Sequence, residues 1–220
     1  MVMSKKNYCS ILKRIEEKKR KLGLLEPFNE DLSYPSCDDG MGFIDKSAIE
    51  YIKHMANMTK RRKLSWDDIK DINRRLDDEC TGEFRTRNVR VKTNAGYNRV
   101  CTFRQMVYFR DNFIQWLKIS QGNIIEIAAI AHVRLVFLHP FDDGNGRTAH
   151  LLMNLILLQG GYPVTGIDNP DRYLELLRKI SISEKRLDIF NPNLCDELLS
   201  GFCSFVYEMV EKTLDLHLAS

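Results

Sequence analysis

The sequence predicts an all-α protein, mainly helical, with a single β-hairpin. Three observations predict it. Apolar residues recur at helical spacing through most of the 220 residues. Ile124–Leu138 and Leu151–Leu158 are apolar nearly all round, the mark of central helices buried on most faces. The one convincing strand signal is a pair of short runs flanking the turn-like Asn94-Ala95-Gly96. With 44% hydrophobic residues, the chain can enclose one sizeable core.

The elements follow in order. Lys5 to Leu22 reads as a charged helix in which Ile11, Leu12 and Ile15 form a thin apolar stripe among Lys13, Arg14, Lys18, Lys19, Arg20 and Lys21. Pro27 to Gly42 is rich in Asn, Asp, Ser, Pro and Gly without periodicity, and reads as a loop. Residues 1–46 are therefore expected to form an N-terminal helix and loop, and 47–220 the main domain. Ser47–Met58 and Ser65–Leu76 read as helices, the second with Ser65 as N-cap, Asp67 and Asp68 in its first turn, and Arg74 and Arg75 near its end. The basic run Lys60–Lys63 between them reads as solvated loop. Asn88–Thr93 and Arg99–Phe103 form the expected hairpin, within a flap of about 87–103. Helices are expected over Phe103–Lys118, Ile124–Leu138 and Leu151–Leu158, from Asn169-Pro170 to about Ile180, and from about Asn193 to Leu218.

Composition excludes some classes. Lys plus Arg outnumber Asp plus Glu only 33 to 30, so no bulk polyanion is indicated and no nucleic-acid partner is expected. The six cysteines are scattered, with no CxxC pair and no His at metal-ligand spacing, as reduced thiols of a cytoplasmic protein would be. No apolar run reaches spanning length, and Lys5 and Lys6 stand where a signal peptide would need apolar residues, so neither membrane association nor targeting is expected.

The chemistry concentrates between the two buried helices, at His139-Pro-Phe-Asp-Asp-Gly-Asn-Gly-Arg147. Gly144 and Gly146 let backbone approach a ligand closely, and the helix expected to start near Arg147 points its positive end at the same spot, which suits phosphate. Asp143 can hold Mg2+ through a carboxylate oxygen while phosphate oxygens and waters complete the shell. Arg147 adds a planar cation for a second phosphate. His139, the one side chain here that ordinarily titrates near neutrality, can take a proton from an attacking hydroxyl. Phe141 is expected to point inward as an anchor. A merely structural helix-connecting turn would have no need of a base, a metal-binding acid, two glycines and an arginine together.

HPFDDGNGR resembles the signature of the Fic family (Fido superfamily), in which His, Phe, an acid, Gly-Asn-Gly and Arg keep fixed spacing. Gly82-Glu-Phe-Arg-Thr-Arg-Asn-Val resembles the family's approach to its flap, and Phe113-Ile-Gln-Trp-Leu resembles the helix after it. Leu151-Leu-Met-Asn and Gly161-Tyr-Pro resemble the stretch beyond the motif. Glu211-Lys-Thr-Leu-Asp-Leu is similar to the C-terminal part of animal Fic AMP-transferases. The resemblance implies a Fic fold over residues 47–220 and transfer of AMP from ATP to a Ser, Thr or Tyr hydroxyl of a target protein. It implies His139 as general base, Asp143 as Mg2+ ligand, Gly144, Asn145 and Gly146 as the α-phosphate anion hole, and Arg147 on the phosphate chain. The flap would bind the protein substrate as an added strand. Tyr173 falls near an aromatic that packs beside adenine in animal members, and a homodimer is compatible with the family.

The chain departs from the family at His150, where a second arginine is usual, and an imidazole cannot replace a permanent guanidinium as a terminal-phosphate anchor. The nearest match to the family's inhibitory helix is Ser204-Phe-Val-Tyr-Glu208. Removal of AMP, transfer of UMP or phosphocholine, or a non-catalytic nucleotide- or protein-binding module are therefore the alternatives.

Overall fold

The structure, a computed structural model, describes residues 5–23, 44, 46–59, 63–93, 96–191 and 197–219. The expected loop at Pro27–Gly42 lies outside them, as do residues 60–62 of the basic run and 193–196 of the last expected helix. Eight α-helices run through the described residues: α1 (Lys5–Lys21), α2 (Lys46–Thr59), α3 (Trp66–Arg74), α4 (Phe103–Ile119), α5 (Ile124–Leu138), α6 (Asn145–Gln159), α7 (Pro170–Ile182) and α8 (Glu197–Ala219). A short 3-10 helix over Arg186–Phe190, which no sequence signal indicated, joins α7 to the segment before α8.

The two apolar helices form the centre. α5 and α6 lie side by side; α2 and α3 cover α6, α4 and α8 cover α5, and α1 and α7 pack on α8. Burial explains the composition of α6: every residue from Thr148 to Leu158 is enclosed. Each such Leu or Ile contributes roughly 1.5–3 kcal/mol by leaving water. α1 brings Ile11 and Ile15 into the same core, and its polar side is tied to α8 by Arg14 on Glu211 and by Lys18 on Glu211 and Asp215.

Capping fixes where the helices start. Ser65 and Asp68 bond each other's backbone N–H reciprocally to open α3, and Thr102 and Gln105 do the same for α4. The second cap decides the hairpin. Val91–Thr93 (β1) pairs antiparallel with Gly96–Asn98 (β2), Lys92 opposite Tyr97, so the second strand precedes the expected Arg99–Phe103. Beyond β2 the backbone donors go elsewhere: Arg99 N–H to Ser181 Oγ at 2.6 Å and Cys101 N–H to the Phe137 carbonyl at 2.8 Å. Phe103 already belongs to α4.

Candidate active site

The loop His139–Arg147 joins the central helices. α5 ends at His139, whose φ of 50° and ψ of 59° place it in the left-handed region; among the described residues it is the only non-glycine with positive φ. That conformation costs of order 1–2 kcal/mol and turns the chain sharply out of the helix. Gly144, at φ 73°, occupies the same region and starts α6, so the helix begins at Asn145, two residues before the expected start. The shift puts Asn145, Gly146 and Arg147 in the first turn, where backbone N–H groups have no intrahelical carbonyl, and no side chain caps this helix. Main-chain N–H groups at the positive end of α6 are thus left open to an anion.

The loop is held by hydrogen bonds that the sequence did not announce. Asn145 turns its side chain back, accepting from the Phe141 N–H at 2.9 Å and donating to the Phe141 carbonyl at 2.9 Å, so its side chain closes the loop. Phe141 is buried and stacks on Phe84, with 6.0 Å between ring centroids. Asn73 of α3 donates to the Asp143 carbonyl and to Thr148 Oγ1, each at 3.0 Å, and accepts from the Gly82 N–H at 2.9 Å.

His139 Nδ1 lies 3.2 Å from the Val136 carbonyl. A carbonyl can only accept, so Nδ1 carries the proton and Nε2 the lone pair. Burial pushes the imidazole pKa down to about 4; the Val136 carbonyl and Asp143 oppose that shift, and the Arg85 cation adds to it. The ring is therefore neutral and able to accept a proton over the whole physiological range.

Arg147 faces two carboxylates. It donates to Asp77 at 2.5 Å and approaches Asp143 at 3.3 Å, and the guanidinium holds Asp77 below the ordinary carboxylate range. Asp143 keeps its side chain 58% exposed. Asp77, Cys80 and Asp143 offer donor atoms within 4.8 Å of one another. As a Mg2+ site this set is uneven. The Cys80 thiol, pushed up to about 12 chiefly by burial, stays protonated and is in any case a soft donor. Asp77 is committed to Arg147. Asp143, a hard and exposed oxygen donor beside the anion site, fits the ion.

Tyr173 is not brought to the loop surface. It is fully buried, its hydroxyl 3.1 Å from His132 Nε2 and its ring against Phe202 and Phe205. A side chain so enclosed has no face for adenine while those neighbours stay in place. His150 is buried too, its Nε2 2.9 Å from the Thr165 carbonyl, which Asn154 also bonds. This side chain pins the segment after α6. Glu208 pairs with Arg172 on the surface.

Asp77, Asn73 and Arg85 were missed because they reach the loop from far along the chain. The Asp-Asp pair after Arg75 and the lone Asn in α3 carry no local signal; only Arg85 lay in a stretch noted for its family resemblance.

Comparison with known proteins matches the Fic/DOC family over residues 63–157. "Protein adenylyltransferase Fic" of Nematostella vectensis is 34% identical over 182 residues, 79% of this chain and 38% of that protein. Its namesake in Drosophila grimshawi is 32% identical over 180 residues, 78% of this chain and 33% of that protein. The chain thus spans between a third and two fifths of the length of these relatives. A Fic-domain-containing signaling protein from Bacteroides thetaiotaomicron shares the fold at a TM-score of 0.67 and 22% identity, over 94% of this chain and 88% of that one. Fic-1 of C. elegans does so at 0.62 and 20%, over 96% and 71%. The matched residues include α5 and the whole His139–Arg147 loop, and the chain carries a Fic domain.

Proposed function

We propose that the protein is an adenylyltransferase that moves AMP from ATP to a Ser, Thr or Tyr hydroxyl of another protein. The observation that carries this is the pairing of His139, with its lone pair on Nε2, and the uncapped first turn of α6 within one loop. In the step proposed, the acceptor oxygen attacks the α-phosphorus and His139 Nε2 takes its proton. The bond from phosphorus to the bridging oxygen breaks, and pyrophosphate leaves. The N–H groups of Asn145, Gly146 and Arg147 stabilise the charge gathering on the α-phosphate oxygens. Asp143 would hold Mg2+, which when bound neutralises charge on the phosphate chain. The pairing of β1 with β2 leaves an outer strand edge on which an extended acceptor segment can add. The names of the relatives support the reaction class.

Incubation with ATP labelled in the α-phosphate should mark an acceptor protein, and ATP labelled in the γ-phosphate should not. Label from the γ-position would make the enzyme a kinase and end this reading. The burial of His150 favours one second reading, transfer from a donor that needs no terminal-phosphate anchor, and label from UTP or CDP-choline in preference to ATP would select it.

Arg147 has to exchange a carboxylate for phosphate when nucleotide enters. Asp77→Asn is therefore expected to tighten ATP binding, on the order of threefold to tenfold. Titration calorimetry checks this, and unchanged affinity would show that Asp77 orients Arg147 without competing for it.

A further inference from the structure

Arg85 is the largest side chain among the described residues with under 2% exposure, at 1%. Among the described residues no carboxylate pairs with it, and its side-chain donors end on backbone carbonyls: Nε on His139 at 2.6 Å, Nη1 on Arg87 at 2.5 Å and Nη2 on Cys101 at 2.8 Å. Its own N–H donates to the Pro140 carbonyl at 2.9 Å, and the neighbouring Phe84 bridges to Phe141. Asp142 acts on the Arg85 guanidinium only from beyond ion-pair distance, so burying this guanidinium carries a desolvation cost that an apolar side chain would avoid. What it supplies in return is geometric.

The three carbonyls lie on three different pieces of chain. His139 is the end of α5 in its left-handed turn, Arg87 leads into β1, and Cys101 follows β2. One planar fork therefore sets the residue bearing the imidazole against both ends of the hairpin. We propose that Arg85 is a positioning residue, whose fork fixes the distance between the His139 base and the hairpin that presents the acceptor hydroxyl. The inference rests on the functional reading above. It assigns Arg85 no contact with substrate. A lysine would keep the charge but lacks the planar fork needed to reach three carbonyls at once.

The test uses the full chain with Arg85→Lys and Arg85→Ala. Arg85→Lys is expected to remain folded by circular dichroism and to lose kcat for AMP transfer on the order of a hundredfold, while KM and Kd for ATP stay within about twofold. Added guanidinium ion should restore part of the kcat of Arg85→Ala. Hydrogen exchange should quicken at residues 137–141 and 99–103 and stay unchanged along α6. A folded Arg85→Lys with wild-type kcat, or one whose ATP affinity falls in step with kcat, would overturn the proposal. Should the wild-type chain transfer no AMP at all, the functional reading fails by itself. The exchange measurement still decides whether Arg85 tethers the two segments.

Discussion

Replacing His139 by alanine is expected to lower AMP transfer by a factor on the order of 10² to 10⁴, the usual contribution of a positioned general base, while ATP binding persists. The two effects separate because the imidazole lies at the end of α5 and the N–H groups proposed to hold phosphate lie at the start of α6. Transfer of labelled AMP and calorimetric ATP affinity, measured on the same preparation, check this. Label that survives the change would remove His139 from the mechanism.

The pH behaviour follows from the same residue. With the imidazole pKa held down to about 4 by burial, the acid limb of kcat/KM, which reports the free enzyme, is expected near that value and not near the ordinary 6.5. Stability moves with it. Between these two values the unfolded chain binds more protons than the native one, so stability rises with pH through that window and the gain is complete above the unfolded pKa. His139→Ala should flatten that slope, which urea unfolding at a series of pH values would read.

The second large effect is expected at Gly144. A Cβ there would stand 2.6 Å from Cys80 Sγ, 2.8 Å from Leu76 Cδ1 and 2.9 Å from Asn73 Nδ2, on a backbone at φ +73°. Strain and crowding add, and Gly144→Ala is expected to cost about 2–4 kcal/mol and to abolish ATP binding, because relief of the clash tilts the first turn of α6. Gly23, at φ +68° with nothing within 4 Å of an added Cβ, separates the two causes. Gly23→Ala should cost about 1 kcal/mol by strain alone. Equal losses at the two positions would show that the crowding at Gly144 is relieved without cost.

The residues of the loop were legible because they are contiguous: nine positions carry base, acid, glycines and arginine, and the greasy helices on either side mark the loop as central. What holds the loop in shape was not. Asp77 meets Arg147 across 70 positions of sequence, Asn73 meets the Asp143 carbonyl across 70, and Arg85 meets the His139 carbonyl across 54. No local pattern records such meetings. Helix ends were read well where a Ser, Thr or Asn caps them, as at Ser65 and Asn169, and misread at α6, where a left-handed glycine does the work without a side-chain oxygen. The hairpin ran short because backbone donors at Arg99 and Cys101 find partners on α7 and α5, a tertiary choice that strand propensity does not encode.

Cys80 gives the site a built-in gauge. Its sulfur sits under Gly144 and 3.9 Å from the Arg147 guanidinium. With a thiol pKa of about 12 it presents almost no thiolate to an alkylating reagent. Iodoacetamide should therefore modify it only as fast as the junction of α3 and α6 breathes open. A mass-spectrometric alkylation rate at this one position would report, without any substrate turnover, how often that junction opens.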